Sequence, residues 1–338
     1  MSVELAERVV DELLAYNDPD QPTRFIWHGG EPMLAGLGFY THICAYILDH
    51  YPDYLIEHYI QTNGTLLYDE WIDFFIEHDF NVGVSLDGWK TLHDQHRKTR
   101  DGKGTFELIF RNISRAREKG LICGILSVIT RQSLGHEEEL FEFFGKHRLD
   151  FGFHPVTSLT LETEQQLSLT PEQFADVSIK FFDMGFINQA EPRFTSATPT
   201  FHYAMAVMMG YPSGFCVLAE TCAAEYISIE PTGRVHVCDR FAGNEALSFG
   251  NIAQTSLENI LKSPIRKQFL YRWQEIKKLC GDCEWASVCY GGCPHEAYAR
   301  NGSIFSRDPN CAAYKQIFAY VSTAISNELE KATLSKSE

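Results

Sequence analysis

Apolar residues recur at helical spacing at the start of the chain and again near its middle. Ser2 precedes the first stretch and can cap a helix there, because its hydroxyl can accept a backbone N–H. Thr170 and Gln173 can close a capping box at the second stretch, with Pro171 in the first turn. The spacing predicts two amphipathic helices, with buried faces formed by Leu5, Val9 and Leu13 in the first and by Phe174, Val177 and Phe181 in the second.

Short apolar runs alternate with helical stretches through the first two thirds of the chain. This alternation predicts a parallel sheet, curved or closed as a barrel, with functional loops at the carboxyl ends of the strands. Polar, glycine-rich clusters follow several of the runs, as expected for the rim of an active site. The predicted strands are residues 24–27, 59–60, 81–86, 121–129, 151–156 and 193–196.

Length, charge and hydropathy narrow the possible classes of protein. The 338 residues suffice for roughly two domains with cores of their own. A formal net charge of −16 opposes nucleic acid or an anionic membrane as a bulk partner, since phosphate binding needs a basic surface. No apolar run approaches the ~20 residues that span a bilayer, and Met1 is not followed by a basic and then apolar segment. We therefore expect a soluble, cytoplasmic protein.

Eight of the ten cysteines lie after residue 215, at spacings that indicate metal binding rather than disulfides. Thiolates bind iron–sulfur clusters and structural zinc, and each site takes about four of them. Eight ligands therefore predict two sites, with zinc as the alternative to iron–sulfur. The eight residues are Cys216, Cys222, Cys238, Cys280, Cys283, Cys289, Cys293 and Cys311.

The spacing of these cysteines resembles the SPASM domain, which carries two auxiliary 4Fe–4S clusters in a branch of the radical S-adenosylmethionine (SAM) enzymes. A predicted β-hairpin at residues 227–238, with Pro-Thr-Gly at its turn, extends the resemblance. Full thiolate coordination implies that these clusters transfer electrons or hold structure rather than bind SAM. His236 and His295 are expected to be outer neighbours of the clusters or surface groups. The implied ligand sets are Cys216, Cys222, Cys238 and Cys293 for one cluster, and Cys280, Cys283, Cys289 and Cys311 for the other.

The clusters at the strand ends resemble the radical SAM core. Gly29-Gly30-Glu31-Pro32 is similar to the motif that receives the methionine amino group of SAM, although the same residues also make a good turn. Residues 61–66 and 85–88 resemble the next two signatures of that family. Arg97 resembles the arginine that takes the SAM carboxylate, although it could instead pair with Asp94 or Asp101. The resemblance implies SAM contacts from Gly29, Gly30, Glu31, Gln61, Asn63, Ser85, Arg97 and Ser158.

Radical SAM enzymes normally carry Cys-x3-Cys-x2-Cys after the first barrel strand, and this sequence contains no such segment. Cys44 and Cys123 stand alone on apolar stretches and are predicted to pack in the core. The sequence also opens on a helix where the family pattern has a strand. We expect that it starts late, at an internal Met, and that it is inactive as printed. The alternative is a paralogue that has lost SAM cleavage and keeps the scaffold.

Asp239, directly after Cys238, is the predicted catalytic residue. Nearly the whole chain resembles the anaerobic sulfatase-maturating enzymes, in which the Cys-Asp pair at this step supplies the general base. The resemblance implies oxidation of a Cys or Ser side chain of a sulfatase to formylglycine by a 5′-deoxyadenosyl radical. Asp239 could instead be a turn carboxylate paired with Arg240, and residues 240–243 depart from the pattern of sulfatase maturases.

The sequence is identified as a member of the radical SAM/SPASM proteins, of the sulfatase-maturase-like type. The expected α/β fold is a partial (β/α)6 TIM-like barrel without its first strand at residues 1–205, a small Cys-rich SPASM domain at 206–323, and a helix end and tail at 324–338. Expected cofactors are SAM and two auxiliary 4Fe–4S clusters, with a third, SAM-binding cluster only in a full-length form.

Expected partners are a sulfatase or other peptide substrate and a low-potential reductant such as flavodoxin or ferredoxin, for a monomeric chain that binds neither nucleic acid nor membrane. Two alternatives to sulfatase maturation remain open. One is a maturase of another ribosomally made peptide. The other is a cluster-bearing, non-catalytic paralogue.

Overall fold

The structure is a computed structural model that describes residues 1–156, 166–187, 203–204, 206–208, 210 and 216–334. Its internal contacts divide the chain into two compact units, each made of several segments. The first unit consists of Met1–Leu86, His93–Gly124 and Ala223–Leu270, and the second of Asp87–Leu92, Ile125–Cys222 and Tyr271–Glu338. The domain boundaries drawn from the sequence remain predictions.

A five-stranded sheet has its strands in the order in which they occur along the chain. The first strand pairs in parallel with the second, the second with the third, and the fourth with the fifth. The predicted α/β half-barrel and five of its strands are thus confirmed, while residues 193–196, predicted as a further strand, lie outside the described residues. The strands are β1 (Thr23–Trp27), β2 (Ile56–Thr62), β3 (Asn81–Ser85), β4 (Cys123–Ile129) and β5 (Phe151–Pro155).

Helices alternate with these strands along the chain. They are α1 (Val3–Tyr16), α2 (Leu37–His50), α3 (Asp69–Glu77), α4 (Lys90–His96), α5 (Phe106–Glu118), α6 (Glu137–Lys146) and α7 (Pro171–Phe182). In the first unit, α1 and α2 pack with β1 around one apolar cluster, and burial of each large side chain there contributes about 1.5–3 kcal/mol. The cluster contains Ala6, Val10, Leu14, Phe25, Ile43 and Ile47.

Both predicted amphipathic helices begin at their predicted caps. The Ser2 hydroxyl accepts the backbone N–H of Leu5 at 3.2 Å at the start of α1. At α7, the Thr170 hydroxyl accepts the Gln173 N–H at 3.2 Å, and the Gln173 side chain accepts the Thr170 N–H at 3.0 Å. These reciprocal bonds form the capping box and satisfy two backbone donors that the helix itself leaves open.

A small antiparallel sheet lies in the first unit and consists of β6 (Ser228–Ile229), β7 (Arg234–His236) and β8 (Gly250–Asn251). The turn between β6 and β7 is closed by a bond from the Gly233 N–H to the Glu230 carbonyl at 2.8 Å. Gly233 has a φ of +86°, which explains glycine at this position. The predicted hairpin is therefore confirmed.

Short helices and one long helix complete the chain. They are α8 (Cys222–Glu225), α9 (Leu257–Leu261), α10 (Pro264–Leu270), α11 (Arg272–Cys280), α12 (Ala286–Cys289), α13 (Pro294–Asn301) and α14 (Cys311–Leu334). In the second unit α14 packs against α7, where the rings of Tyr314 and Phe174 meet edge to face at 6.2 Å. Among the described helices, none has the length and apolar character needed to cross a membrane.

Two histidines of the cysteine-rich region are buried. His236 is fully buried and its Nε2 lies 2.7 Å from a carboxylate oxygen of Glu230, and His295 is 5% exposed. The expectation that either could be a surface group is wrong, because both side chains are buried. The lone Cys123 is buried, as predicted for a core residue.

Candidate active site and cluster-binding residues

Two consecutive glycines shape the loop after β1. Gly29 has a φ of +99° and Gly30 a φ of +59°, in the left-handed region that residues with a Cβ rarely adopt. Among the described residues, no group beyond the adjoining chain lies within 4 Å of the position that a Cβ would take at Gly29 or Gly30. Backbone conformation rather than lack of space therefore requires glycine, and the loop exposes its backbone at the carboxyl end of β1.

The Glu31 carboxylate ties this loop to the end of β2. Its Oε1 accepts the Thr62 hydroxyl at 2.7 Å and the Met33 backbone N–H at 3.1 Å. Its Oε2 accepts the Asn63 backbone N–H at 2.7 Å. A carboxylate has about four lone-pair sites, so capacity remains for a further donor such as an ammonium group.

Other predicted SAM contacts lie at the neighbouring strand ends of the first unit. The Gln61 side-chain amide donates to the Ser85 hydroxyl at 3.2 Å, which joins the ends of β2 and β3. The Asn63 side chain accepts the Thr65 backbone N–H at 2.9 Å and is therefore held in a turn. The structure thus brings Gln61 close to Ser85, and Glu31 close to Asn63.

The SAM contacts described so far remain predictions, as do the two others, Arg97 and Ser158. Arg97 follows α4, and its backbone N–H donates to the His93 carbonyl at 3.0 Å. Its own carbonyl accepts the Thr105 hydroxyl at 3.0 Å, which fixes the backbone from which the guanidinium extends. Ser158 lies outside the described residues.

Asp239, the predicted base, is paired with His28. The His28 Nδ1 lies 2.9 Å from Asp239 Oδ2, and both side chains are nearly half exposed. The hydrogen bond to Asp239 raises the pKa of His28, and the bond from His28 lowers the pKa of Asp239. The pair therefore favours an imidazolium beside a carboxylate, directly before the Gly29–Gly30 turn.

Glu230 fixes the segment that carries Cys238 and Asp239. Its Oε1 accepts the Gly243 backbone N–H at 2.7 Å and lies 2.7 Å from His236 Nε2. The bond from Gly243, followed by the one from His236, lowers the pKa of Glu230 against the opposing effect of burial. One carboxylate thus holds the chain on both sides of the segment.

One complete set of predicted cluster ligands surrounds a single cavity in the second unit. Burial raises the pKa of the Cys289 thiol to about 12 and also raises that of Cys280, with nearby Cys311 adding to the effect. A bound cation would reverse this effect, because it stabilises thiolates. The donor set therefore fits a thiolate-bound metal group. Cys280, Cys283, Cys289 and Cys311 line the cavity, together with Trp285 and Tyr314 among others.

Four thiols around one cavity are a donor set that both a 4Fe–4S cluster and structural zinc use. The lining of the cavity therefore fits either group. Its assignment to a cluster remains the prediction made from the resemblance of the cysteine spacing to the SPASM domain.

The other predicted ligand set is only partly assembled within one unit. Cys222 and Cys293 both interact electrostatically with the guanidinium of Arg272 in the second unit. Cys216 begins a short helical turn in the same unit. Cys238 belongs to the first unit, and its membership of this set remains a prediction.

Comparison with protein families identifies the chain. A model described as the radical SAM superfamily matches residues 2–144, and a model described as an iron–sulfur cluster-binding domain, SPASM, matches residues 216–284. The chain therefore contains a radical SAM domain and a SPASM domain. Proteins of these two families use SAM and iron–sulfur clusters, which agrees with the cysteine-lined cavity and the carboxylate at the strand ends.

Two relatives and one solved structure show which radical SAM proteins this chain is similar to. The cysteine-type anaerobic sulfatase-maturating enzyme of Clostridium novyi is 29% identical over 327 residues, which cover 94% of this chain and 85% of the relative. The serine-type enzyme of Bacteroides thetaiotaomicron is 29% identical over 345 residues, covering 95% and 81%. A solved structure described as native anSMEcpe with bound AdoMet and Kp18Cys peptide matches with a TM-score of 0.85 and 25% identity, covering 98% of this chain and 91% of that one.

Sequence reasoning missed His28 as a partner of Asp239. The signal was its position, because it directly precedes the glycine pair at the end of β1, where side chains of the rim are expected. It also did not single out Arg272, which is buried beside three cysteines.

Proposed function

We propose that this radical SAM protein oxidises a Cys or Ser side chain of a sulfatase peptide to formylglycine. Two relatives are named sulfatase-maturating enzymes, one of the cysteine type and one of the serine type. A structural neighbour is described with AdoMet and a peptide bound. On this chain, the observation that carries the proposal is the Asp239 carboxylate, 2.9 Å from His28 at the start of the Gly29–Gly30 loop.

The reaction requires a base among the residues of the chain itself. Oxidation of the side chain removes one hydrogen atom, one proton and one electron from the substrate. A Ser side chain thereby becomes the aldehyde, whereas a Cys side chain becomes a thioaldehyde, which water hydrolyses to the aldehyde with release of hydrogen sulfide. When bound, SAM and the clusters would supply the acceptors for the hydrogen atom and the electron. The proton must pass to a group that is unprotonated at neutral pH and within reach of a peptide. Asp239 meets both conditions, because its pKa is lowered and its side chain is 46% exposed.

His28 orients this base. Its ring nitrogen contacts Oδ2 of Asp239, which leaves Oδ1 to accept the substrate proton. Because the imidazolium already holds one oxygen of the carboxylate, the Asp239 side chain loses less conformational freedom when the substrate binds. The same contact keeps Asp239 charged, as its proton-accepting role requires.

The remaining residues would hold the cofactors. Glu31, with Gln61, Asn63 and Ser85 at the adjacent strand ends, offers acceptors for the polar groups of SAM. The four cysteines of the second-unit cavity would hold one auxiliary cluster. Cys216, Cys222, Cys238 and Cys293 would hold another, with electrons supplied by a low-potential reductant such as flavodoxin or ferredoxin.

The test is anaerobic incubation with SAM, a reductant and peptides that carry the sulfatase target sequence with Cys or Ser at the modified position. Because the printed sequence contains no Cys-x3-Cys-x2-Cys segment, the assay compares it with a form that carries such a segment in frame at the amino terminus. We expect the longer form to yield formylglycine peptide, detected by mass spectrometry. Failure of a fully loaded longer form on both peptides would refute sulfatase maturation and leave another peptide as the substrate.

Asp239→Asn tests the assigned base in the same assay. We expect product formation to fall by about 10²-fold or more, because the amide cannot accept the proton. The iron content should be unchanged. Asp53→Asn, at an exposed position in the loop after α2, is the matched control and should retain full turnover. Unchanged turnover in Asp239→Asn would remove Asp239 from the mechanism.

A further inference from the structure

Arg272 is a buried cation in the cysteine-rich part of the second unit. It is the first residue of α11 and is 5% exposed. A guanidinium has five N–H groups, and here the guanidinium forms five bonds to main-chain carbonyl oxygens. The acceptors are Ile304 at 2.6 Å, Ser306 at 2.8 Å, Gly292 at 2.9 Å, Gly291 at 3.3 Å and Tyr290 at 3.4 Å.

Three of these carbonyls belong to one unusual turn, residues 290–292. Tyr290, Gly291 and Gly292 have φ values of +48°, +78° and +73°, so three consecutive residues are left-handed. A Cβ on Gly291 would lie 2.5 Å from the Ile276 side chain, and one on Gly292 would lie 2.4 Å from Asp308. Such a turn is unfavourable for Tyr290 by itself, and the bonds to Arg272 stabilise it.

The turn connects the two proposed ligand sets. Cys289, just before it, lines the cavity shared with three other cysteines, and Cys293, just after it, belongs to the other set. Asp308 holds the far side, because its Oδ2 accepts the Cys293 N–H at 2.9 Å and its N–H donates to the Gly291 carbonyl at 3.0 Å. The shape of this turn therefore fixes the directions in which both thiols point.

The charge of Arg272 also needs a counter-charge. Burial of a cation costs several kcal/mol unless opposite charge lies close by. Within the described residues, every hydrogen-bond acceptor of Arg272 is a neutral carbonyl. The groups that interact favourably with its charge are the thiols of Cys293 and Cys222, followed by Asp308 and Cys289. A cluster held by four thiolates is anionic, so clusters on these cysteines would add negative charge to that of Asp308 near the guanidinium.

We propose that Arg272 is a positioning residue for both auxiliary clusters: it holds residues 289–293 in the shape that presents one cysteine to each cluster, and its buried charge raises their reduction potentials. A nearby positive charge stabilises the more negative, reduced form of a cluster, so its removal shifts the potential to more negative values. Low solvent access leaves this effect unscreened. The inference rests on the proposed cluster ligands.

Three variants distinguish the effect of the hydrogen bonds of Arg272 on the turn from the effect of its positive charge on the clusters. Arg272→Met removes the five bonds and the charge, while Arg272→Lys keeps the charge and loses the planar fork. Lys277→Met removes an exposed positive charge from the same helix and is the matched control. Each protein is reconstituted anaerobically, its iron per chain is measured, and its potentials are determined by redox titration followed by electron paramagnetic resonance.

We expect Lys277→Met to match the wild type in iron and potentials. The iron content of Arg272→Met should be about four per chain or fewer, compared with about eight in the wild type. If the variant keeps its clusters, their reduction potentials should be shifted to more negative values. Arg272→Lys should keep wild-type potentials in whatever clusters assemble. Wild-type iron and potentials in Arg272→Met would overturn the proposal. If circular dichroism shows that Arg272→Met is unfolded, Arg272→Lys decides, and a negative shift of its potentials at full iron would overturn the proposal. Absence of iron from the wild type would refute the cluster ligands instead.

Discussion

Replacing Glu31 by glutamine should loosen the junction between the ends of β1 and β2. The Glu31 carboxylate accepts the Thr62 hydroxyl and the Met33 N–H on one oxygen and the Asn63 N–H on the other. Glutamine has the same shape but only one oxygen. If that oxygen takes the place of Oε1, the glutamine NH2 group takes the place of Oε2. It then faces the Asn63 backbone N–H, so a donor lies where Asn63 needs an acceptor.

The expected loss can be estimated from the bond that glutamine cannot make. A hydrogen bond to a charged group contributes about 1.5–3 kcal/mol, and the two short bonds here, both at 2.7 Å, are of the charge-assisted kind. Glu31 is partly exposed, so water can satisfy some of the groups that lose their partner. We therefore expect the free energy of unfolding to fall by about 2 kcal/mol.

Urea unfolding at neutral pH, followed by circular dichroism, measures this loss. Glu57→Gln is the matched control, because Glu57 pairs with Arg24 on the surface and loss of an exposed pair changes stability little. Glu31→Gln should lower the urea midpoint clearly, with the slope of the transition unchanged. A midpoint equal to that of the wild type would refute the view that this carboxylate joins the two strand ends.

Two further predictions concern the cysteine-lined cavity and a buried histidine. Cys283→Ala should lose the iron of one cluster and destabilise the second unit, since cluster assembly is coupled to folding, whereas Cys44→Ala should keep full iron. Burial lowers the pKa of His58 to about 4. Its unfolded pKa is near 6.5, so the unfolded chain binds more protons between these values, and stability should fall by roughly 3 kcal/mol as the pH drops from 6.5 to 4. His58→Gln should flatten that part of the pH profile.

Iron analysis and chemical denaturation at several pH values check these two predictions. Full iron content in Cys283→Ala would mean that the ligand set of the cavity is wrong. An equally steep pH profile in His58→Gln would mean that other groups cause the acid sensitivity of this protein. The Trp27 indole N–H donates to His58 Nδ1 at 3.3 Å, so the glutamine variant, which retains an acceptor, is preferred to an apolar one.

Short sequence patterns indicated most of the candidate site residues, because such residues are marked by their near neighbours in the sequence. Gly29 and Gly30 were found from the resemblance of residues 29–32 to a motif of the radical SAM family, and their φ values explain why glycine is needed there. The Thr170 capping box requires only residues three positions apart. The four cysteines that line the cavity were grouped as one ligand set by the resemblance to the SPASM domain, since Cys293 lies in the same stretch of sequence and was assigned to the other set.

Contacts between distant segments could not be predicted in the same way. Asp239 was singled out as a base, with a turn carboxylate paired with Arg240 as the alternative, but its contact with His28 on the loop after β1 was not foreseen. Arg272 gave no signal, because its burial depends on main-chain carbonyls of residues 290–292, 304 and 306. The near neighbours of these residues in the sequence do not indicate their contact partners, so only the three-dimensional fold identifies them.

The central claim is that the eight cysteines after residue 215 hold two four-iron clusters, and metal analysis of the printed chain tests it most directly. After anaerobic reconstitution and removal of excess metal, the protein should contain about eight iron and eight sulfide per chain and no stoichiometric zinc. Zinc at about two per chain, or iron well below that of one cluster, would contradict the account.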